Sequence, residues 1–318
     1  MKIARCTLLL LMLFLLLISC RRGESPSQGA RKLNVVATLF PVYDFARIVG
    51  GDRVDVRLIL PPGMEPHDFE PRPEEVMKLS KADLFIFTNR YMEPWAARIL
   101  KGVDNRGLAV IDASAGVALI PAADEDEHEG HHETAEGHHH HEGMDPHIWL
   151  SIANAIRMVD TIREGLAQKD PAGSDYYRKN AEAYRLRLEE LARNYREGLA
   201  NCGNRTFLHG GHYAFGYLAK DYGLRYLSAY AISPNAEPTP GKLVTLVRQM
   251  KQYSLRYVFY EELLSPRVAE TIARETGANL LKLHGIHNVT RQELNSGVSY
   301  LALMTENLKN LRTGMECK

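Results

Sequence analysis

The sequence comprises 318 residues, enough chain for two lobes, each with its own core. Hydrophobic residues make up 45% and charged residues 25%, as expected of a soluble globular protein. The 39 basic and 39 acidic residues cancel, so nothing in the charge balance points to nucleic acid or to an acidic membrane surface. In chain order, Lys2 and Arg5 precede an apolar run from Leu8 to Ile18 that stops at Ser19-Cys20. These are the basic and hydrophobic regions of a secretory signal, expected over residues 1–19. The run is too short for a comfortable transmembrane helix.

Leu17-Ile18-Ser19-Cys20 resembles a lipobox, which implies that Cys20 becomes the lipid-bearing N-terminus. An ordinary cleaved signal with an incidental cysteine is the alternative. Residues 20–31, rich in Arg, Gly, Ser, Pro and Gln, read as a flexible tether. Strands and helices then alternate through a first lobe over 32–170. Strands are expected at 33–38, 54–60, 84–88 and 108–112, with helices at 42–49 and 73–81. Pro73 stands at the start of the second helix. The βαβα series implies a parallel sheet.

Residues 175–199 contain no proline and a single glycine, Gly198. Their apolar positions Tyr177, Ala181, Tyr184, Leu188 and Leu191 recur at helical spacing. Such a helix runs roughly 35–40 Å at 1.5 Å per residue, enough to span two lobes. The expected linking segment is 171–201. The strand–helix pattern then recurs over 202–318, with strands at 206–209, 225–230, 257–260 and 280–283 and helices at 213–221, 240–252 and 266–276. Glu65-Pro66 and Pro73 before one helix are echoed by Glu237-Pro238 and Pro240 before its counterpart. The expected fold class is α/β: two similar parallel-sheet lobes joined by one long backbone helix, with a cleft between them.

Of the four cysteines, Cys6 and Cys20 belong to the signal. Cys202 and Cys317 are left to form one disulfide in a compartment that permits it, or to stand as two unpaired thiols. There is no CxxC spacing.

Seven of the 13 histidines, His128, His131, His132, His138, His139, His140 and His141, lie in one stretch that also holds Glu and Gly. The segment 122–143 has too few apolar residues to pack and is expected to be a disordered loop that binds metal weakly. Imidazole is a common ligand for zinc, copper and nickel. The remaining histidines fall in four places: His67, His147, the pair His209 and His212, and the pair His284 and His287. Each place lies just beyond an expected strand or at the helix start that follows. Ligands of open parallel sheets bind at the carboxyl ends of the strands. If the lobes face one another, the four places converge on one metal site in the cleft.

The motifs PHDFEP, DPHIWLS and HYAFGYLA resemble the metal-binding receptors of zinc and manganese ABC importers, the ZnuA/TroA-like family, over essentially the whole mature chain. The resemblance implies His67, His147 and His212 as ligands. The fourth family ligand is usually an acid in an LDPL-type sequence. Here Leu283 is followed by His284, so His284 is the expected fourth ligand, with Glu65, His209 and His287 as alternates. Asp68, Asp145 and Glu261 are candidates to orient the imidazoles from behind.

Three or four nitrogens with no assured carboxylate favour zinc over manganese. What the resemblance implies is an extracytoplasmic receptor, periplasmic or on the cell surface. It would carry Zn(II) as cargo, hold to the membrane through lipid, deliver to an ABC importer permease and act as a monomer. A manganese receptor of the same type and a zinc-containing surface adhesin are the alternatives. A zinc hydrolase is not expected: four protein ligands close the site to water.

Overall fold

In a computed structural model of the chain, residues 31–67, 69–122, 143–232 and 237–318 are described. The signal, Cys20, Asp68 and the histidines of the 128–141 stretch lie outside the described residues. The first sheet contains β1 (Leu33–Ala37), β2 (Val54–Leu58), β3 (Leu84–Phe87) and β4 (Ala109–Asp112). All pairings are parallel, in the order β2-β1-β3-β4. The central strands are apolar, as strands covered on both faces must be: Val35, Val36 and Ala37 in β1 and Leu84, Phe85 and Ile86 in β3 are buried.

The second sheet repeats the plan with β5 (Thr206–His209), β6 (Arg225–Ser228), β7 (Tyr257–Tyr260) and β8 (Asn279–Lys282). Its order, β6-β5-β7-β8, is the same and again parallel. The two-lobe α/β architecture read from the sequence is therefore present, and the structure adds that both sheets share one strand order.

Helices of the first half are α1 (Phe40–Gly50), α2 (Pro73–Leu79), α3 (Pro94–Leu100), α4 (Ile152–Lys169) and α5 (Ser174–Gly198). Those of the second half are α6 (Gly216–Tyr222), α7 (Pro240–Gln252), α8 (Arg267–Thr276), α9 (Arg291–Asn295) and α10 (Tyr300–Gly314). The 25-residue α5 buries Tyr177, Ala181, Tyr184, Leu188, Leu191 and Tyr195 along one stripe. It packs on α1 and α4 of the first lobe and on α10 of the second. Two helices absent from the sequence reading, α3 and α4, complete the first lobe. Ser151 caps α4 by accepting a hydrogen bond from Asn154 N–H at 3.3 Å.

The interior does not divide at the lobe boundary. One apolar cluster runs from β1, β3, α1, α4 and α5 into Phe207, Phe215, Phe259, Leu283, Ile286 and Tyr300 of the second lobe. A smaller cluster, including Leu208, Leu246, Met250, Val258 and Ile272, lies under α7 and α8. The expectation of one core per lobe is thus corrected: α5 and α10 bring the apolar faces of both halves together. Cys202 and Cys317, 115 positions apart, form a disulfide that ties the chain's end to the start of the second lobe.

Candidate metal centre

Four connections beyond strand ends build the site. The β2–α2 loop carries His67, the 3-10 turn before α4 carries His147, the β5–α6 turn carries His212, and the segment after β8 carries His287. The DPHIWL motif is clamped between the lobes. Trp149 Nε1–H donates to Gly285 O at 2.8 Å, and Tyr300 Oη–H donates to Trp149 O at 2.6 Å. The Tyr217 hydroxyl, from α6, donates to Asp145 O at 2.9 Å. His147 is thereby held against the second lobe although its own chain belongs to the first.

Among the described residues, His67, His147 and His212 form the one group of three potential ligands whose donor atoms all lie within 4.8 Å of one another. His67 Nε2 is 3.2 Å from His147 Nε2, and His212 Nε2 is 3.1 Å from His147 Nε2. Opposite these nitrogens the rings meet carboxylates. His147 Nδ1 bonds Asp145 Oδ1 at 2.8 Å, and the same oxygen accepts the His147 backbone N–H at 3.0 Å. His212 Nδ1 lies 2.7 Å from Glu261 Oε2, while Glu261 Oε1 accepts the His212 backbone N–H at 2.9 Å. Asp145 and Glu261, both named from sequence as orienting groups, are the carboxylates behind these two rings.

A carboxylate that close demands a proton on Nδ1. In the neutral imidazole, Nε2 then bears a lone pair. Two such lone pairs face each other across 3.1 Å, an arrangement that is repulsive unless a cation or proton sits between them. Gly211 makes room for this: a Cβ there would fall 2.1 Å from Glu261 Oε1. Burial, then the neighbouring His147 and His212, pushes His67 well below its ordinary pKa. Burial also lowers His147 against the pull of Asp145. At His212 burial acts downward, but the Glu261 carboxylate outweighs it and raises the imidazole to about 9. The centre thus draws positive charge to a point walled by nitrogen donors and backed by two anions.

The remaining sequence candidates separate. His284, the expected fourth ligand, does not join the cluster. Its Nδ1 accepts the Ile286 N–H at 2.9 Å and lies 3.1 Å from Glu262 Oε1. Its Nε2 faces Glu293 at 3.8 Å. The physical reason is a chain reversal at Ile286, whose φ is +61°. This turns His284 towards the second lobe's own acids and brings His287 back to the site. The His287 ring centre is 5.4 Å from that of His212, and neither of its ring nitrogens has a hydrogen-bond partner among the described residues. Glu65 Oε2, also without a hydrogen bond there, lies 3.7 Å from His287 Nε2. Burial raises the Glu65 carboxyl to about 7. His209 ends β5 and is packed edge-on against Phe215 at 5.0 Å; burial lowers its pKa to about 4, so it is a neutral interior group.

Comparison with known proteins points the same way as the motifs. The ZnuA family, described as zinc-uptake complex component A, periplasmic, matches residues 35–314. The zinc-binding lipoprotein AdcA of Streptococcus pneumoniae is 36% identical over 298 residues, covering 94% of this chain and 58% of AdcA. The chain therefore spans a little over half the length of that relative. The high-affinity zinc uptake system protein ZnuA of Bacillus subtilis is 34% identical over 309 residues, 96% of this chain and 95% of that protein. The crystal structure of the Zn(II)-bound ZnuA-like domain of Streptococcus pneumoniae AdcA superimposes with a TM-score of 0.75. It is 34% identical and covers 90% of this chain and 99% of that domain.

Proposed function

The chain belongs to the ZnuA family of zinc-uptake components, and from that premise we propose that it is an extracytoplasmic receptor that binds Zn(II) through His67, His147 and His212 and delivers it to an ABC importer permease. The observation that carries this reading is the spacing of the imidazole nitrogens. Zinc bonds imidazole at about 2.0–2.1 Å, so two ligands on one tetrahedral edge stand about 3.3 Å apart. The His67–His147 and His147–His212 pairs are at 3.2 and 3.1 Å. Asp145 and Glu261 supply two negative charges against the dication and fix the tautomer that turns Nε2 inward.

For the fourth ligand we propose His287, whose buried ring has nitrogens to spare, with Glu65 adjacent on the more accessible side. A nitrogen-rich tetrahedral site favours zinc over manganese, which prefers oxygen. Four protein donors leave no open position for an activated water, so this reading assigns the protein no catalytic step. The apolar run ending at Cys20 supports export and lipid attachment, and the histidines of the 128–141 stretch suit weak collection of metal. That stretch leaves and rejoins the described chain at Ala122 and Gly143, where Ala122 N–H donates to Gly143 O at 2.8 Å. Titration with zinc against a competing chelator tests the proposal: one tight site should persist when residues 123–142 are replaced by a short turn. Loss of the tight site on that replacement would place a primary ligand in the removed segment.

A further inference from the structure

The loop that carries His67 grows out of the first sheet, yet its first half is held by the other lobe. After β2 the chain turns through Pro61-Pro62-Gly63-Met64. Met64 N–H donates back to Pro61 O at 3.2 Å, and Gly63 adopts φ +82°, a backbone conformation suited to glycine. The two prolines have no N–H with which to join a sheet. The Asn288 carboxamide nitrogen donates to Pro61 O and to Met64 O, both at 2.8 Å. Next to it, Val289 O accepts the Gly63 N–H at 2.9 Å. Among the described residues, these three bonds are what tie 61–64 to the rest of the chain.

Asn288 is wholly buried, and its Oδ1 accepts Val289 N–H at 2.8 Å, so both donor hydrogens are committed to the loop. It directly follows His287, whose own carbonyl accepts Phe40 N–H at 3.2 Å. From this geometry we infer that Asn288 is a positioning residue. Its carboxamide clamps the His67 loop onto the second lobe and thereby sets how fast metal leaves the centre. His67 is the half-buried histidine of the trio, on a loop whose first half, 61–64, is hydrogen-bonded across to the opposite lobe. Metal release through this side requires the loop to lift, and lifting it breaks both carboxamide bonds. The inference rests on the reading of His67 as a zinc ligand.

The test uses the mature chain and two readouts. Asn288→Asp keeps the size and the Oδ1 acceptor but sets an oxygen against two carbonyls; Asn288→Ala removes the donors without that repulsion and serves if the aspartate variant does not fold. Amide hydrogen exchange on metal-free protein should quicken over residues 61–67, above all at the Gly63 N–H. Zinc release into excess chelator, followed by stopped flow, should be about 10–100-fold faster, the usual cost of losing a group that supports a ligand. In a His67→Ala background the same substitution should add nothing, because it acts through His67. Unchanged exchange at 61–67, unchanged release, or equal acceleration in both backgrounds would overturn the inference. Parent-like release by His67→Ala alone would instead remove His67 from the ligand set, and the control of release with it. The exchange readout, taken without metal, tells that failure apart from a failure of the clamp.

Discussion

Imidazole nitrogens 3.1 Å apart, with a carboxylate behind each ring, are spaced so that a dication can take the place of a proton shared between them. Removing one such donor deletes a bond to the metal, whereas removing a carboxylate only loosens a donor that stays. His147→Ala and His212→Ala should therefore each weaken zinc binding by more than about 100-fold. Asp145→Asn and Glu261→Gln should each cost about 10–100-fold. Chelator competition measures both, and equal losses in the two sets would show that the carboxylates do more than orient. His284→Ala should leave affinity unchanged while His287→Ala lowers it; the opposite order would restore His284 as the fourth ligand. The three clustered histidines were legible because each lies in a connection beyond a strand end of a parallel sheet. Which of His284 and His287 faces the cluster was not legible, because it turns on a left-handed backbone at Ile286, a β-branched residue that nothing local marks for φ +61°.

Periodicity revealed α5 because its buried stripe is regular over 25 residues and its other faces are charged. It did not reveal α4, although Ile152, Ala155, Met158, Val159, Ile162 and Leu166 are buried at helical spacing. That helix follows directly on the DPHIWL motif, whose apolar Ile148-Trp149-Leu150 turn blurs its start. The seven-residue α3 is too short to show a period. Since α5 bears on both lobes without touching metal, Leu188→Ala should cost about 2–5 kcal/mol in stability, as for other large-to-small core changes. Denaturant unfolding would show it, with zinc affinity unaltered; a fall in affinity would mean that α5 transmits strain to the centre. The Cys202–Cys317 bridge closes a separation of 115 residues. Replacing both cysteines with serine should lower stability by about 2–5 kcal/mol and likewise leave zinc binding alone.

One apolar interior shared by both lobes and laced by α5, with a histidine cluster drawn from each, makes the described chain from Leu33 to Lys318 a single compact unit. It should therefore unfold in one transition, and saturating zinc should move that transition upward as a whole. At a free zinc concentration about 1,000-fold above the dissociation constant, the gain is about 4 kcal/mol. Calorimetry that resolved two transitions, only one of them zinc-sensitive, would contradict the shared interior. The central claim is that one zinc sits among imidazoles contributed by both lobes. X-ray absorption at the zinc edge tests it most directly, on protein lacking residues 123–142 and loaded with one equivalent of metal. Four nearest neighbours at about 2.0–2.1 Å are expected. The imidazole scattering signature should shrink by one ring in each of His67→Ala, His147→Ala and His212→Ala. A shell of carboxylate and water oxygens, or an imidazole signal untouched by those substitutions, would contradict the account.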